Sequence, residues 1–540
     1  MKKFTKLISI TLSIFIIFSI IMNTKVKESI TTNSNNIESS FIKNTKIPNF
    51  LYVINENLLK KDERTMIASL QGIISNKSSS QIYILTSSEP AYKVWLDDLK
   101  DNYNINYKMI SNPFELIDIF KNYINGYVLY ERNSKNDPSI NNACSLASLN
   151  DSLVVTKELE DSIKNHRINK LIGDCRNTDK EWAYKNLWNS GLNHSTVIEL
   201  SPSHATALRD YAIMTKSLVF YEDNASSLDF REKIFSSMNS YSVCLGWGPD
   251  EFKNVSLTSK YGIDMVAADW SYNLTVLSAF PSKPIKQNTK TNISNEKDVH
   301  YVTIMMSDGD NLQWLMGDNF TSPKWYGSKN RGNFNLGWSI SPSLYYLAPT
   351  VFKNYYKDSN HSKFNDNFVV SPSGTGYIYP SKYPYNKLDF YTKRLSYYMK
   401  NVDQKYVTII DDSSFNNIKL WDKYTKEDNI HGLFYLDYAR NNNYKGEIVW
   451  SNNKPVVSCR DLIWGGLEEE SEFVNTINQR VNSGYTDITN INAYTFVYIH
   501  VWTKDMDTVQ NVVNELNKNS KVRIVTPDTF MKLIKKNVKN

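Results

Sequence analysis

Apolar and polar positions in the first half of the chain alternate between two periods. Short β-branched runs, "QIYIL" (81–85), "GYVLY" (126–130), "STVIEL" (195–200) and "SLVFY" (217–221), are separated by stretches with helical spacing. "ERTMIASLQGII" (63–74) is one such stretch, with apolar residues on a single helical face ahead of the first run. Short strands that alternate with helices predict an α/β domain with a mostly parallel sheet. The segment "PSKPIKQNTKTNISNEK" (281–297) then breaks both periods: it is polar, contains Pro281 and Pro284, and reads as the main domain boundary.

Beyond that boundary, strand-like runs recur to the end of the chain. They are "HYVTIMM" (300–306), "NLGWSI" (335–340), "NFVV" (367–370), "YVTII" (406–410), "GLFYLD" (432–437), "PVVSCR" (455–460), "TFVYIH" (495–500) and a final "VRIV" (522–525), with helical or loop material between them. The pattern predicts a C-terminal (β/α) barrel-like domain of seven or eight strands, with an open doubly wound sheet as the alternative. The expected layout is an α/β domain over 47–282, a linker over 283–297 and the barrel-like domain over 298–540. A chain of 540 residues is too long for one core, which agrees with this division.

The N-terminus changes the picture of the compartment. "MKK" precedes the uncharged apolar run "LISITLSIFIIFSIIMN" (7–23), the order of a secretory leader. No small-x-small cleavage site comes after it, and the run borders on the length that spans a bilayer, so residues 1–27 fit either a signal peptide or a retained membrane anchor. Residues 28–46 are rich in Asn, Ser and Thr and read as a flexible linker. Both readings of the leader imply a protein secreted or attached at the cell surface.

Charge excludes one class of partner. The formal net charge is +6, but five lysines precede the first acid, Glu28, and without them +1 remains. A nearly neutral chain offers no electrostatic footprint for nucleic acid. The four cysteines are scattered with no CxxC, which excludes a zinc ribbon or thioredoxin motif and leaves one disulfide or isolated buried thiols. No two of the seven histidines lie three to five residues apart, so no zinc-binding helix is present. A GxSxG elbow and a GK[ST] phosphate loop are also missing.

The strand ends carry the candidate chemistry. The first C-terminal run ends in Ser307, Asp308, Gly309, Asp310 and Asn311; the second in Ser339 and Ser341; the fourth in Asp411 and Asp412. The fifth ends in Asp437 and Arg440, the sixth in Arg460 and Asp461, and the seventh in His500 and Trp502. In a barrel or an open sheet these ends share the ligand-binding face. Asp308 and Asp310 flank a glycine and offer the hard oxygens that calcium prefers, and a capped turn accounts for them equally well.

After the third run comes "SPSGTGYIYPSKYP" (371–384), in which Gly374 and Gly376 free the backbone, while Pro380 and Pro384 stiffen the second half of the loop. Tyr377 and Tyr379 then stand on a pre-shaped loop, either as a sugar platform or as a plug for the end of the barrel. "GTGYIYP" (374–380) fits the pattern GxGYxYP, and the chain resembles the GxGYxYP family, classed with the glycoside hydrolases. The stretches 69–84, 305–314, 337–344 and 494–509 are similar to that family as well, so the likeness covers most of the chain after the leader. The resemblance implies a bacterial secreted protein with a barrel-like C-terminal domain and a carbohydrate substrate. It brings no catalytic pair with it.

Glycosidic hydrolysis needs two carboxyl groups, one an acid and the other a nucleophile or base. The expected pair is Asp308 with Asp437, with Asp310 and Asp411 in reserve and Glu468, Glu469 and Glu470 as further sources of the acid. Arg460 and His500 are expected to orient substrate, and Trp314, Trp338, Tyr377, Tyr379 and Trp502 to line the subsites. No cofactor is expected, with calcium at Asp308 and Asp310 as the alternative. The competing readings are a glycan-binding protein without catalysis and a calcium-stabilised surface protein.

Overall fold

The computed structural model describes residues 40–289, 295–361, 363–440 and 445–538. The leader at 7–23 and the first part of the polar stretch at 28–46 lie outside them. The chain is mixed α/β with mostly parallel sheets.

In the first half the strands sort into three sheets rather than one. Phe50–Asn55 is flanked by Ser80–Leu85 and Asn106–Ile110; Gly126–Leu129 is flanked by Ser152–Val155 and Leu171–Asp174. The third sheet runs in the order Ser217–Phe220, Asn193–Glu199, Val243–Gly246, Asp264–Ala267. Every pairing in these sheets is parallel. The helix Lys61–Ser75 shows why one sheet does not form. It is buried almost throughout and takes contacts from several sides. Its Ser69 Oγ accepts from Val154 N at 3.1 Å in the second sheet, while Gly72 packs directly against Ile213 and the Asp210 carbonyl in the helix Arg209–Thr215, which connects two strands of the third. A helix with almost no exposed face belongs between layers, not on an outer surface.

Beyond residue 298 the alternation of parallel strands and helices holds. One sheet has the order Asp366–Val369, Leu336–Ser339, His300–Met306, Tyr494–Ile499, Asp461–Ile463, with Val522–Ile524 on the start of the His300 strand. A second has the order Tyr406–Asp411, Gly432–Asp437, Lys454–Ser458, Ile448–Ser451. Its last pair is an antiparallel hairpin, turned at Asn452 and Asn453 with φ of 49° and 58°. Asparagine tolerates this left-handed backbone, which matches the twist of a two-residue hairpin. Two junctions join the sheets. Val370 N donates to Tyr406 O at 3.0 Å, and Cys459 N and Arg460 N donate to Tyr435 O and Phe496 O at 2.8 and 2.9 Å.

The described parts of the polar segments before each half are tied to the fold by bonds that their composition does not suggest. Within 40–46, Phe41 and Asn44 are buried, and the Asn44 amide donates to Thr275 O at 2.7 Å and Gln81 Oε1 at 3.1 Å. Within 283–297, Ile285 N donates to Asn401 O, and the Gln287 amide donates to Phe368 O and Asp403 O at 3.0 and 2.9 Å. These partners are distant in sequence, so no local pattern announces them. The four cysteines are buried and free, and burial pushes the Cys175 thiol up to about 12.

The tyrosine-rich loop 371–384 has a structural task. It lies against the edge strand of the third sheet, where Tyr377 N donates to Met265 O at 2.7 Å and Met265 N returns a bond to Tyr377 O at 3.4 Å. Thr375 Oγ1 donates to the buried Asp264 at 2.6 Å, Tyr379 N to Ser259 Oγ at 2.9 Å, and Tyr383 Oη to Gly262 O at 3.1 Å. Gly376 permits this approach, since a Cβ there would lie 2.7 Å from Asp264 Cβ and 3.0 Å from Met265 O. Gly376→Ala is therefore expected to destabilise the fold by about 1–3 kcal/mol, the range for overpacking a tight contact. Urea denaturation followed by circular dichroism measures this, and unchanged stability would show that the loop can move off the strand at no cost.

Candidate functional site

The third sheet has the order 2-1-3-4, so its topological switch point lies between Asn193–Glu199 and Val243–Gly246. Ligands of open α/β sheets bind beyond the carboxyl ends of the strands at such a point. Here the chain continues as "GWGPDE" (246–251). Asp250 caps the helix Glu251–Tyr261 by accepting from Lys253 N at 2.9 Å, which fixes Trp247 before the helix and Glu251 at its first residue.

These two residues face the carboxyl ends of the C-terminal strands across a cavity of about 260 Å³. From the third sheet come Trp247, Glu251 and Ala267; from the loop 371–384 comes Tyr377; from the C-terminal strand ends come Ser307, Asp308, Asp310, Ile410, Leu436, Arg440, Trp464, Tyr498, His500 and Trp502. The volume lies below the roughly 300 Å³ at which pockets for drug-sized ligands begin, which suits a single small ring.

Three carboxyl groups meet in this cavity. Asp308 Oδ1 accepts from the Trp502 indole N–H at 2.8 Å, and its other oxygen accepts from Ser307 Oγ. Its backbone sits at φ 62°, a conformation uncommon outside glycine and asparagine and often found at functional sites. The next residue must be a glycine, because a Cβ at Gly309 would run into the Ser339 carbonyl. Burial pushes the Asp310 carboxyl well above its usual range, and the charge of Asp308 adds to the rise. Burial raises Glu251 too; the Tyr377 hydroxyl, which donates to Glu251 Oε1 at 2.8 Å, offsets part of this, and Asp308 pushes it up further. A site that raises two carboxyl groups beside a third is arranged for proton transfer.

The basic and aromatic groups are also fixed. His500 stacks on Trp464 with ring centroids 3.5 Å apart and planes 4° from parallel, and its Nδ1 lies 3.1 Å from Thr503 Oγ1. Burial lowers its pKa against the pull of Asp308, and the charge of Arg440 adds to the fall. Arg440 lies over Trp464 and Tyr438, 4.5 and 5.1 Å from their ring centroids.

The expected site residues divide into two sets. Asp308, Asp310, Tyr377, His500 and Trp502 line the cavity together. The others serve the frame around it. Asp437, expected to pair with Asp308, does not line the cavity; it is buried and its Oδ1 accepts from Ser413 N at 2.8 Å. Asp411 is fully buried, and its two oxygens accept from Ser381 N, Ser381 Oγ, Ser414 Oγ and Asp412 N. Trp338 donates to Asp366 at 3.0 Å beneath the strands, and Arg460 donates to the Gly446 and Ile491 carbonyls. Trp314 packs behind Trp502 at 5.3 Å, and Tyr379 packs between Phe252 and Tyr438. Gly374, at φ 156°, lets the loop press on the Tyr391 hydroxyl, and Gly376 lets it reach Asp264. Glu468 accepts from Leu462 N at 2.9 Å, and Glu469 and Glu470 pair with Lys504.

Glu251, Trp247 and Trp464 are absent from the sequence-based set. The signal for the first two is local: a strand ending in Gly–Trp–Gly, a capping Asp and an acid in the first helical turn. Among the described residues no cluster of three or more His, Cys, Asp or Glu side chains has the geometry of a metal site.

Comparison with known proteins agrees with this architecture. Residues 298–535 match the GxGYxYP putative glycoside hydrolase C-terminal domain. Residues 50–122, 124–192 and 194–279 match the first, second and third GxGYxYP N-terminal domains. A crystal structure of a putative hydrolase from Bacteroides thetaiotaomicron VPI-5482 is similar at a TM-score of 0.84 and 31% identity, over 92% of this chain and 96% of that chain. No curated protein matches. With its four domains matched in order and its signature loop against the cavity, the chain belongs to the GxGYxYP family.

Proposed function

We propose that the protein hydrolyses a glycosidic bond in the cavity between its third sheet and its C-terminal strands. The observation that carries this reading is the meeting of Glu251 with Asp308 and Asp310, carboxyl groups from two separate parts of the chain, among stacking rings. Glu251 is the acid. Its raised pKa keeps a proton available for the leaving oxygen, as a buried carboxyl group does in other glycosidases. Asp308 is the nucleophile or base, aimed by the Trp502 indole and Ser307. Asp310, protonated beside it, avoids a second full charge. Arg440 and His500 orient the sugar hydroxyls, and Trp247, Trp464 and Trp502 offer ring faces.

In this reading the two C-terminal sheets act as one irregular (β/α) barrel, supported by the bonds at Val370 and Cys459–Arg460. The leader supports action outside a bacterial cell, and membership of a glycoside hydrolase family supports a carbohydrate substrate.

Asp308→Asn and Glu251→Gln are each expected to lower kcat by roughly 10²–10⁴-fold while leaving the circular dichroism spectrum unchanged. A screen of glycans and aryl glycosides with the mature chain measures this. Equal turnover by the parent and both variants removes these carboxyls from the mechanism, and glycan binding without any product ends the hydrolytic reading.

The pH profile has a defined sign. Glu251 works protonated, so kcat/KM falls as pH rises through its raised pKa. The Tyr377 hydroxyl favours the ionised form of Glu251, and removing it raises that pKa further. Tyr377→Phe is therefore expected to move the alkaline limb of kcat/KM upward by about one pH unit, the scale of one hydrogen bond to a charged group. A shift downward, or none, would assign the limb to another group.

A further inference from the structure

A second cavity of about 160 Å³ opens beside the first, lined by Lys324, Trp325, Trp502, Thr503, Lys504 and Thr508 among others. Trp502 lines both cavities. It is the structural link between them: its indole N–H holds Asp308 at 2.8 Å on one side, and the residue is 47% exposed. A tryptophan left this open is unusual, because the side chain has a large apolar face to bury. Its position is fixed. Trp314 packs on it at 5.3 Å and Trp325 at 5.9 Å, nearly edge to face, while Trp325 is held by its own N–H to Val501 O at 2.9 Å. The ring cannot turn inward without breaking the bond to Asp308.

The second cavity differs from the first in chemistry. It carries no carboxyl group close to Asp308, and its acid, Asp505, is spent on capping the helix Met506–Leu516 through Thr508 N at 2.9 Å. Lys504 is neutralised by Glu469 and Glu470 at 2.6 and 2.9 Å. What remains is the Thr508 hydroxyl, the exposed Lys324 and aromatic faces, with Thr503 Oγ1 already bonded to Gly465 N at 3.0 Å and close to His500 Nδ1. That combination suits a neutral sugar ring, which stacks through its C–H face and bonds through its hydroxyls. It has nothing to hydrolyse with.

Resting on the reading of the first cavity as a glycosidase site, we infer that the substrate is an oligosaccharide whose next sugar sits on Trp502 in this second cavity, with Trp325, Thr503 and Thr508 around it. The reacting sugar occupies the 260 Å³ cavity, which has room for one ring. The neighbouring sugar adds binding energy away from the bond that breaks, and such remote contacts raise turnover as well as affinity. The enzyme is then selective for chain length, and small aryl glycosides are poor substrates.

The test uses the mature full-length chain and a Thr508→Phe variant, which fills the groove without touching the carboxyl groups of the first cavity. Lys324→Ala, at an exposed side chain, is the second variant should the bulky one fail to fold. Calorimetry measures binding of cellotriose, xylotriose, mannotriose and galactotriose and of the four matching monosaccharides. One trisaccharide is expected to bind at least tenfold more tightly than its monosaccharide, and Thr508→Phe is expected to remove about tenfold of that difference while leaving the monosaccharide unchanged. Equal binding of trisaccharide and monosaccharide, a length preference untouched by both variants, or no binding of any of these sugars overturns the inference. Length-dependent binding without turnover keeps it and ends the hydrolytic reading; turnover with no length preference does the reverse.

Discussion

The antiparallel contact between Tyr377 and Met265 is the constraint on which the site depends. Two backbone bonds, of 2.7 and 3.4 Å, attach the loop 371–384 to the edge strand of the third sheet. A parallel edge strand left uncovered would expose unpaired N–H and C=O groups, and the loop covers them. In doing so it sets the Tyr377 hydroxyl on Glu251 and brings the carboxyl ends of two unrelated sheets to one cavity. The glycines and the threonine of the motif serve this approach, through the space at Gly374 and Gly376 and the bond from Thr375 to Asp264. The tyrosines are packing and positioning residues first, and only Tyr377 reaches the cavity.

The electrostatics of the site result from that closure. Burial penalises each carboxylate, and proximity adds a second penalty, so Glu251 and Asp310 are driven toward their neutral forms. The site tolerates this because Asp308 is hydrogen-bonded on both oxygens and because Arg440 and His500 line the same space. Two buried acids away from the cavity are held by hydrogen bonds and ion pairs. Asp411 accepts four hydrogen bonds, and Asp366 sits between Arg331, His361 and Trp338. Acids of the first kind are suited to chemistry, and acids of the second kind to holding the strands in register.

The strand ends therefore do two jobs that look alike in one dimension. Asp308 and Asp437 each come at the carboxyl end of an apolar parallel strand, Asp437 as its last residue and Asp308 two residues beyond it. The difference lies in the chain around them. At Asp308 the backbone turns with φ 62°, and Gly309 lets it press against Ser339, which leaves the carboxylate facing the cavity. Asp437 is instead covered by the loop after Asp411, whose Ser413 N donates to it.

Several features were written in the sequence itself. The runs at 300–306 and 432–437 have the observed bounds, because β-branched patterns report burial directly. The motif at 374–380 pointed to the family, and the strand-end rule picked out Asp308, Asp310, His500 and Trp502, which line one cavity. Tertiary structure alone decided the division of the first half into three sheets, since nothing local says that Lys61–Ser75 will be packed between layers. It also decided which distant acid lines the same cavity as Asp308. Glu251 stands 57 residues before Asp308 in another domain, and contacts distant in sequence, the pairing of Tyr377 with Met265 and the bridge between Ala267 and Asn311 among them, bring the two to one cavity. Periodicity records which face of an element is buried; it carries no record of which distant surface does the burying.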